Sequence, residues 1–307
     1  MSDRIVKLSF HAPVHFGRRR LSDSEYICDA ATLFSALYIE ALSMGCADDL
    51  LHAAKTGEIA FSDAFPYIGE QLYIPKPMIT LPRAVEARSE SSDSRSRKAN
   101  KKLRFIPMKK LPDYLDGSFD FVSELGRFDL GASCVRTKVN LTKAASEDAE
   151  PYHVGGFSYN PGCGIYFIVR GTFDVEPLFV QLGFSGIGGK RSSGYGRFSP
   201  KFLDANLPGL ASEDDFGKRA MLLSSSLPRE DELSDGLFRD AQYRLEKKGG
   251  FVQSCAHAPT PRKKRDMWVF APGSVFDRPF GGGVFDVNQT KGAHPVYRYA
   301  RSMWMEL

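Results

Sequence analysis

The sequence lacks the residue patterns of a metal site, a disulfide framework and a membrane protein. Its five cysteines, Cys28, Cys46, Cys134, Cys163 and Cys255, include no CxxC pair, and an odd number of thiols cannot all pair within one chain. We therefore expect reduced thiols, no metal and no other cofactor. No apolar run approaches the roughly 20 residues of a membrane helix, and residues 1–10 contain no signal-peptide core. These absences predict a cytoplasmic protein without membrane contact.

Enzyme motifs are missing as well. The sequence contains no HExxH and no GxSxG. The glycine-rich segment 183–198 does not match GxxxxGK[ST], because Phe184 and Arg191 occupy the positions that need Gly and Ser or Thr. Nothing marks a pair of carboxylates as general acid and base. We therefore predict a protein that is not an enzyme and has no catalytic residue.

What is present indicates a globular α+β protein. The 307 residues suffice for about two domains, and the net charge of +4 is modest, so its distribution matters more than its sum. Alternation predicts a strand with one buried face at 4–10. Residues 164–170 and 295–307 are also predicted to be strands. Asp29 is a helix N-cap candidate for a helix that ends at Gly45. Strands with few helices predict antiparallel sheets.

Composition divides the chain into two predicted domains. Residues 204–218 contain Pro208, Gly209 and several polar residues, so we place the boundary there, between domains 1–205 and 215–307. Within the first domain, segment 86–102 is polar, serine-rich and basic, and it lacks the apolar residues that offset ordering entropy. It is predicted to be a mobile insertion.

The glycine-rich loop is the most informative segment for function. Its glycines permit positive φ and close backbone approach, and successive N–H groups can form a nest for phosphate. Basic residues and hydroxyls follow directly, and a tyrosine offers a ring on which a base can stack. A long flexible loop is the alternative. The candidate RNA-binding residues here are Gly186, Gly188, Gly189, Lys190, Arg191, Ser192, Ser193, Gly194 and Tyr195.

Two further segments are candidates for phosphate contact. His15 and Gly17 precede Arg18 and Arg19, which are either phosphate contacts or a solvated run. A histidine can act as a general base in RNA cleavage, although a lone His beside Phe is more often structural. In segment 135–143, Arg136 and Lys138 share one strand face that can follow a phosphate backbone, or that is an ordinary charged surface.

Motifs along nearly the whole chain resemble one family. They are HFGRRRL at 15–21, TLFSAL at 32–37, IPKP at 74–77, LRFIP at 103–107, GIYFIV at 164–169, GIGGKRSSGYGRF at 186–198, GSVF at 273–276 and VYRYARSM at 296–303. In these motifs the chain resembles the fourth-subunit family of the Csm (type III-A) CRISPR effector complexes, within the RAMP superfamily. The glycine-rich motif is the most specific of them.

The resemblance implies a fold and a function. It implies two ferredoxin-like, RRM-type domains, the first carrying the insertion, and a subunit that binds the 5′ tag of the guide RNA (crRNA) for antiviral defence. It implies contacts with the large Palm-domain subunit and with the backbone RAMP subunit in a hetero-oligomeric ribonucleoprotein. It also implies a β-hairpin that projects into the guide, placed at 134–152.

Two other functions stay open at the level of sequence. One is a metal-independent RAMP endoribonuclease that processes precursor crRNA with His15. The other is a stand-alone binder of single-stranded nucleic acid. Specific cleavage by the purified chain would favour the first alternative.

Overall fold

The computed structural model describes residues 2–17, 20–80, 90–139, 151–204, 207, 209–211, 219–234, 236–252, 260, 262–289 and 294–307. Six α-helices occur in this part of the chain: α1 Ala30–Met44, α2 Ala47–Thr56, α3 Glu90–Lys102, α4 Leu111–Leu115, α5 Phe121–Arg127 and α6 Glu176–Ser185. None of them is both long and apolar enough to cross a membrane.

The first eleven strands, up to residue 204, build one large sheet and two hairpins. They are β1 Ser2–Phe10, β2 Phe16–Gly17, β3 Ser24–Glu25, β4 Ile59–Phe61, β5 Phe65–Ile68, β6 Gln71–Pro75, β7 Phe105–Pro107, β8 Gly131–Val139, β9 Pro151–Tyr159, β10 Cys163–Gly171 and β11 Phe198–Asp204. The seven-stranded sheet has the order β11–β1–β10–β5–β6–β7, with β4 also paired to β10. β2–β3 and β8–β9 form separate two-stranded sheets.

The remaining strands form smaller sheets. They are β12 Leu210–Ala211, β13 Ala220–Leu222, β14 Leu245–Lys248, β15 Met267–Phe270, β16 Val275–Phe276, β17 Gly282–Asp286, β18 Tyr297–Arg301 and β19 Trp304–Glu306. Four of them form a sheet of order β12–β19–β13–β16, and β14–β15 and β17–β18 are separate pairs. All pairings are antiparallel, so the predicted α+β class with antiparallel sheets is confirmed.

Local sequence signals explain the first helix. The Asp29 carboxylate accepts a hydrogen bond from the Thr32 N–H at 2.8 Å, which satisfies one of the free donors at the start of α1. The helix ends at Gly45, whose φ of 76° lies in the left-handed region that favours glycine. The helix predicted from Asp29 to Gly45 is therefore confirmed at both ends.

The large sheet is buried on both faces, which corrects the prediction of one buried face for β1. Val6 and Leu8 pack in the cluster that includes α1 and α6, whereas Ile5 belongs to a second cluster on the opposite face. Even Lys7 is 7% exposed, and its ammonium donates to the Gly69 carbonyl at 3.3 Å. The long lysine stem lets the charge reach the rim of the sheet, so the residue tolerates burial.

The predicted mobile insertion is a helix over its C-terminal part. α3 covers Glu90–Lys102, and residues 86–89 lie outside the described residues. Ala99 and Leu103 are buried in the second core cluster, and the Lys76 ammonium donates to the Asn100 side-chain oxygen at 2.6 Å. Two apolar anchors and one half-buried amine contact this polar segment over 90–102, and its mobility stays a prediction.

The C-terminal part packs on the N-terminal helices through β18. The Phe61 N–H donates to the Tyr299 hydroxyl at 2.9 Å, and the Tyr299 ring packs against Phe34. In the described portion of 219–307 no α-helix occurs, and the segment after Pro228 forms a 3₁₀ turn at Glu230–Glu232. The three consecutive acidic residues of this turn make local hydrogen bonds. They offer no apolar face on which a longer helix could pack.

A buried carboxylate joins the two parts of the chain. Asp63 is 5% exposed, and its Oδ1 accepts from the N–H groups of Ala30 and Ser225 at 2.9 and 2.8 Å. The Ser225 hydroxyl donates to Oδ2 at 2.7 Å. Nearby, Asp29 forms an ion pair with Lys248 at 3.0 Å. Burial, followed by the negative charge of Asp29, raises the pKa of Asp63 to about 6.

This shift predicts how stability changes with pH. The raised pKa means that Asp63 keeps its proton to higher pH in the folded state than in the unfolded chain, where the value is about 3.9. The stabilisation from protonation of Asp63 is complete below the unfolded-chain pKa of about 3.9 and is lost as the pH rises through about 6. Asp63→Asn presents the same carbonyl oxygen and a neutral N–H₂ to Ser225. We expect the wild type to lose stability relative to this variant between about pH 4 and pH 6.

Urea unfolding of the two proteins at several pH values in this range measures the effect. Free energies of unfolding that run parallel with pH would contradict a raised pKa at Asp63.

Candidate nucleic-acid interface

Three segments of the candidate site start from the same end of three neighbouring strands. β1 ends at Phe10, five residues before His15, and β11 begins at Phe198, directly after the glycine-rich loop. Phe10 and Phe198 are register partners. The β8–β9 hairpin leads into β10, which pairs with β1 on its other side. Because β11, β1 and β10 are adjacent in the sheet, the fold brings the three segments together.

The β8–β9 hairpin carries two of the predicted residues on one face. Arg136 pairs with Val154 and Lys138 with Tyr152 in the antiparallel register. Alternate residues of a strand point to the same side, so both cations lie on one face of β8. The hairpin predicted at 134–152 therefore begins in β8 and ends in β9, which are paired. Its residues 140–150 lie outside the described part of the chain.

The ring of Tyr195 lies beneath these two cations. The Arg136 guanidinium is 5.7 Å and the Lys138 ammonium 5.6 Å from the centre of the ring, which are cation–π distances. Tyr195 is only 1% exposed. The prediction that it stacks on a base is therefore corrected: the ring supports two cations and leaves no face open. A third contact joins loop and hairpin, because the Lys190 ammonium lies 5.5 Å from the Tyr152 ring.

Glycines let the loop pack directly on the backbone at His15. The Gly189 N–H donates to the His15 carbonyl at 2.8 Å, and the Gly196 N–H donates to the Pro13 carbonyl at 3.0 Å. A Cβ at Gly188, where φ is +92°, would lie 2.7 Å from the same His15 oxygen. A side chain there would clash and would also strain the backbone.

This packing corrects the phosphate nest predicted for the first glycines. The Gly186 N–H donates to the Leu182 carbonyl and the Gly189 N–H to His15, so neither is available to an anion. The N–H groups of Lys190, Arg191 and Ser192 have no acceptor among the described residues. Any backbone contact with phosphate is thus displaced to the turn that follows the glycines.

His15 is a buried connector between the segments. It is 7% exposed, and its Nδ1 donates to the Gly155 carbonyl of β9 at 2.8 Å, because a carbonyl oxygen can only accept. Its other ring nitrogen faces the backbone of Gly17, where a Cβ would lie 3.1 Å away. The ring therefore ties the 13–17 segment to the hairpin, and its described hydrogen bonds include no acidic partner.

Among the described residues, no acidic side chain pairs with the cations of the site. We call Arg136, Lys138, Lys190, Arg191 and Arg197 the basic face; none forms an ion pair with any residue that the structure describes. Some arginines elsewhere are paired, for example Arg170 with Asp3 at 2.7 Å. Unpaired like charges gathered on one surface repel one another and attract an anion.

The remaining predicted residues lie in the turn after the glycines or outside the described residues, and one contacting residue was not predicted from the sequence. Ser192 and Ser193 are exposed, and Gly194, with φ of +82°, ends the turn that displays them. Arg18 and Arg19 lie outside the described residues. Sequence reasoning missed Tyr152, which contacts Lys190, although its register position opposite Lys138 follows from a hairpin. No group of three metal-ligating side chains occurs in the described residues.

Comparisons with known proteins match this chain to one family over nearly its whole length. A family model described as the CRISPR Csm4 C-terminal domain matches residues 215–307. "CRISPR system Cms protein Csm4" of Mycobacterium tuberculosis (strain ATCC 25618 / H37Rv) is 36% identical over 310 residues, covering 100% of this chain and 98% of the relative. The protein of the same name from Streptococcus thermophilus is 32% identical, covering 95% of both chains.

Solved structures share the fold. One is a Csm1–Csm4 cassette in complex with cA4, with a TM-score of 0.65, 20% identity and coverage of 100% of this chain and 98% of that one. Another is the Csm3–Csm4 subcomplex of the type III-A CRISPR-Cas interference complex, with a TM-score of 0.64, 16% identity and coverage of 100% and 99%. Together with relatives above 30% identity over nearly its full length, these matches confirm the resemblance: the chain belongs to the Csm4 family of CRISPR systems.

Proposed function

We propose that this chain is a non-catalytic RNA-binding subunit of a type III-A CRISPR interference complex, and that its basic face binds the 5′ tag of the guide RNA. The observation that carries the proposal is that Arg136, Lys138 and Lys190 lie together against the Tyr195 and Tyr152 rings and form no ion pair with a described residue. Phosphates are the anions that such a surface fits, since each contact releases condensed counterions. The exposed hydroxyls of Ser192 and Ser193 add donors to the same surface.

The partners follow from the family. Relatives of this fold have been solved as a Csm1–Csm4 cassette and a Csm3–Csm4 subcomplex. We propose that this chain likewise links the tag to the large Palm-domain subunit and to the backbone RAMP subunit in a cytoplasmic ribonucleoprotein. The order β1–α1–β5 and β10–α6–β11, with β1 and β10 central, supports a ferredoxin-like first domain over 1–205. A second such domain over 215–307 remains part of the proposal.

Removing two cations tests the phosphate contacts. In the Lys190→Ala/Arg191→Ala variant, guide retention by the assembled complex should weaken. The slope of log affinity against log salt should flatten by about 0.7 for each lost contact, as for single strands. The control Lys101→Ala/Lys109→Ala removes two exposed lysines outside the basic face. Bound guide RNA is quantified over a salt titration, and equal slopes for both variants would reject the assignment.

A pair of glycine substitutions separates the effect of backbone strain from the effect of the packing of the glycine-rich loop on His15. Gly188 and Gly194 both have positive φ, but only at Gly188 would a Cβ meet another atom within 4 Å. Ala at either position should cost about 1–2 kcal/mol of stability. Only Gly188→Ala should also lift the loop from His15 and reduce guide retention. Melting temperature and bound guide are measured for both; the same guide content in the two variants would show that the seating does not matter.

His15 distinguishes the non-catalytic proposal from the endoribonuclease alternative. His15→Ala removes one buried hydrogen bond, which should lower stability by about 0.5–1.5 kcal/mol. Cleavage of target RNA by the assembled complex should remain at the wild-type rate, and the purified chain should not process precursor RNA. Assembly and guide content are checked in parallel. A large loss of cleavage with both of these unchanged would favour catalysis by His15.

A further inference from the structure

An open groove of about 310 Å³ lies between the β8–β9 hairpin and the turn before β3, across the hairpin from the Tyr195 ring. A Cβ on Gly156 would point at the Tyr195 ring, whereas a Cβ on the preceding Gly155 would point at the Ser22 carbonyl. The turn therefore packs on the opposite face of β9 from the glycine-rich loop. The groove is lined by Ser22, Asp23, Ser24, Glu25, Ser133, Cys134, Val135 and Gly156.

The groove is built from fixed backbone. The Gly155 N–H of β9 donates to the Leu21 carbonyl at 2.9 Å, and the Phe16 N–H donates to the Ser24 hydroxyl at 3.1 Å. The Asp23 N–H closes the turn on the Arg20 carbonyl at 3.0 Å. These bonds attach the turn to the hairpin, so the groove keeps its shape when either element is engaged.

The groove contains two carboxylates, and they differ in whether a described cation pairs with them. Glu25 accepts from the Arg104 guanidinium at 3.0 Å. Asp23 is exposed and forms no ion pair with a described residue; the Ser22 hydroxyl lies 3.4 Å from its Oδ1. A free carboxylate repels phosphate, so the parts of a guide RNA that fit this groove are its neutral N–H donors. Amino groups on the edge of a nucleobase are such donors, and carboxylates accept from them.

The opposite wall suits the face of a base. Val135 is 61% exposed on β8, which is unusual exposure for a β-branched residue of a strand. The groove volume lies at the lower end of the range for small-ligand sites, which fits one base rather than several. Arg136 and Lys138 lie on the other face of the same strand, so the RNA strand would pass over the edge of the hairpin for its phosphates to reach them.

From this arrangement we infer that the groove receives one base of the guide tag, with its face on Val135 and its amino edge on Asp23. The site selects adenine, cytosine or guanine over uracil, because uracil presents a carbonyl oxygen on each side of its single N–H and both oxygens face the carboxylate. The inference rests on the proposed function and assigns it a base-reading residue.

The test uses the full chain assembled with its partner subunits and guides in which each tag nucleotide is replaced in turn by uridine, or by cytidine where it is already uridine. For the wild type we expect one position at which a uracil weakens binding about tenfold relative to an amino-bearing base. In Asp23→Asn the amide also donates to a carbonyl oxygen, so this discrimination should disappear. Asp49→Asn, an exposed carboxylate of α2, removes the same charge and should leave discrimination intact.

The outcomes separate the two levels of the proposal. If the wild-type complex binds the guide but Asp23→Asn changes discrimination at no position, the groove does not read a base, while the proposed function stands. If the wild type fails to retain any guide, the proposed function falls and this inference falls with it. Melting temperatures of both variants verify that folding is unchanged.

Discussion

The contact between the glycine-rich loop and the backbone at His15 is the interaction on which the candidate site depends. Gly189 donates to the His15 carbonyl, and the missing side chain of Gly188 leaves room for that approach. This seating places Tyr195 beneath the hairpin, where its ring carries Arg136 and Lys138. Without the seating, the cations of the loop and those of the hairpin would belong to separate surfaces.

The sheet supplies the constraint behind that contact. Because β11, β1 and β10 are neighbours, the segments that extend from one end of these strands must meet. Hydrogen bonds at the meeting point are largely made by backbone groups, and the imidazole of His15 adds one to Gly155. The side chains of the basic face are therefore not needed to hold these segments together. Its cations lack acidic partners in the described residues.

Local signals predicted much of this, and tertiary packing decided the rest. The N-cap at Asp29, the stop at Gly45, the alternation in β1 and the apolar run in β10 depend on neighbouring residues, so the elements could be read from the sequence. The loop was recognised as a site from its glycines and cations. That Tyr195 is buried could not be seen, because the hairpin that covers it is about 50 residues away in sequence.

Other differences have the same origin. Segment 90–102 is polar enough to predict mobility, yet Ala99 and Leu103 find a distant core. The Gly189 N–H looked available for phosphate because its acceptor, the His15 carbonyl, is set by the fold rather than by adjacent sequence, whereas the Gly186 N–H is used by the C-terminus of α6. The groove at Asp23 arises between two segments more than 100 residues apart, and nothing in either one alone indicates it.

Ultraviolet cross-linking of the assembled complex, followed by identification of both the RNA and the peptide, tests the central claim most directly. The account predicts that RNA joined to this chain has one defined 5′ end, and that the cross-linked peptides come from β8–β9 and from the 186–197 loop. Cross-links confined to other surfaces of the chain, or RNA with scattered ends, would contradict it.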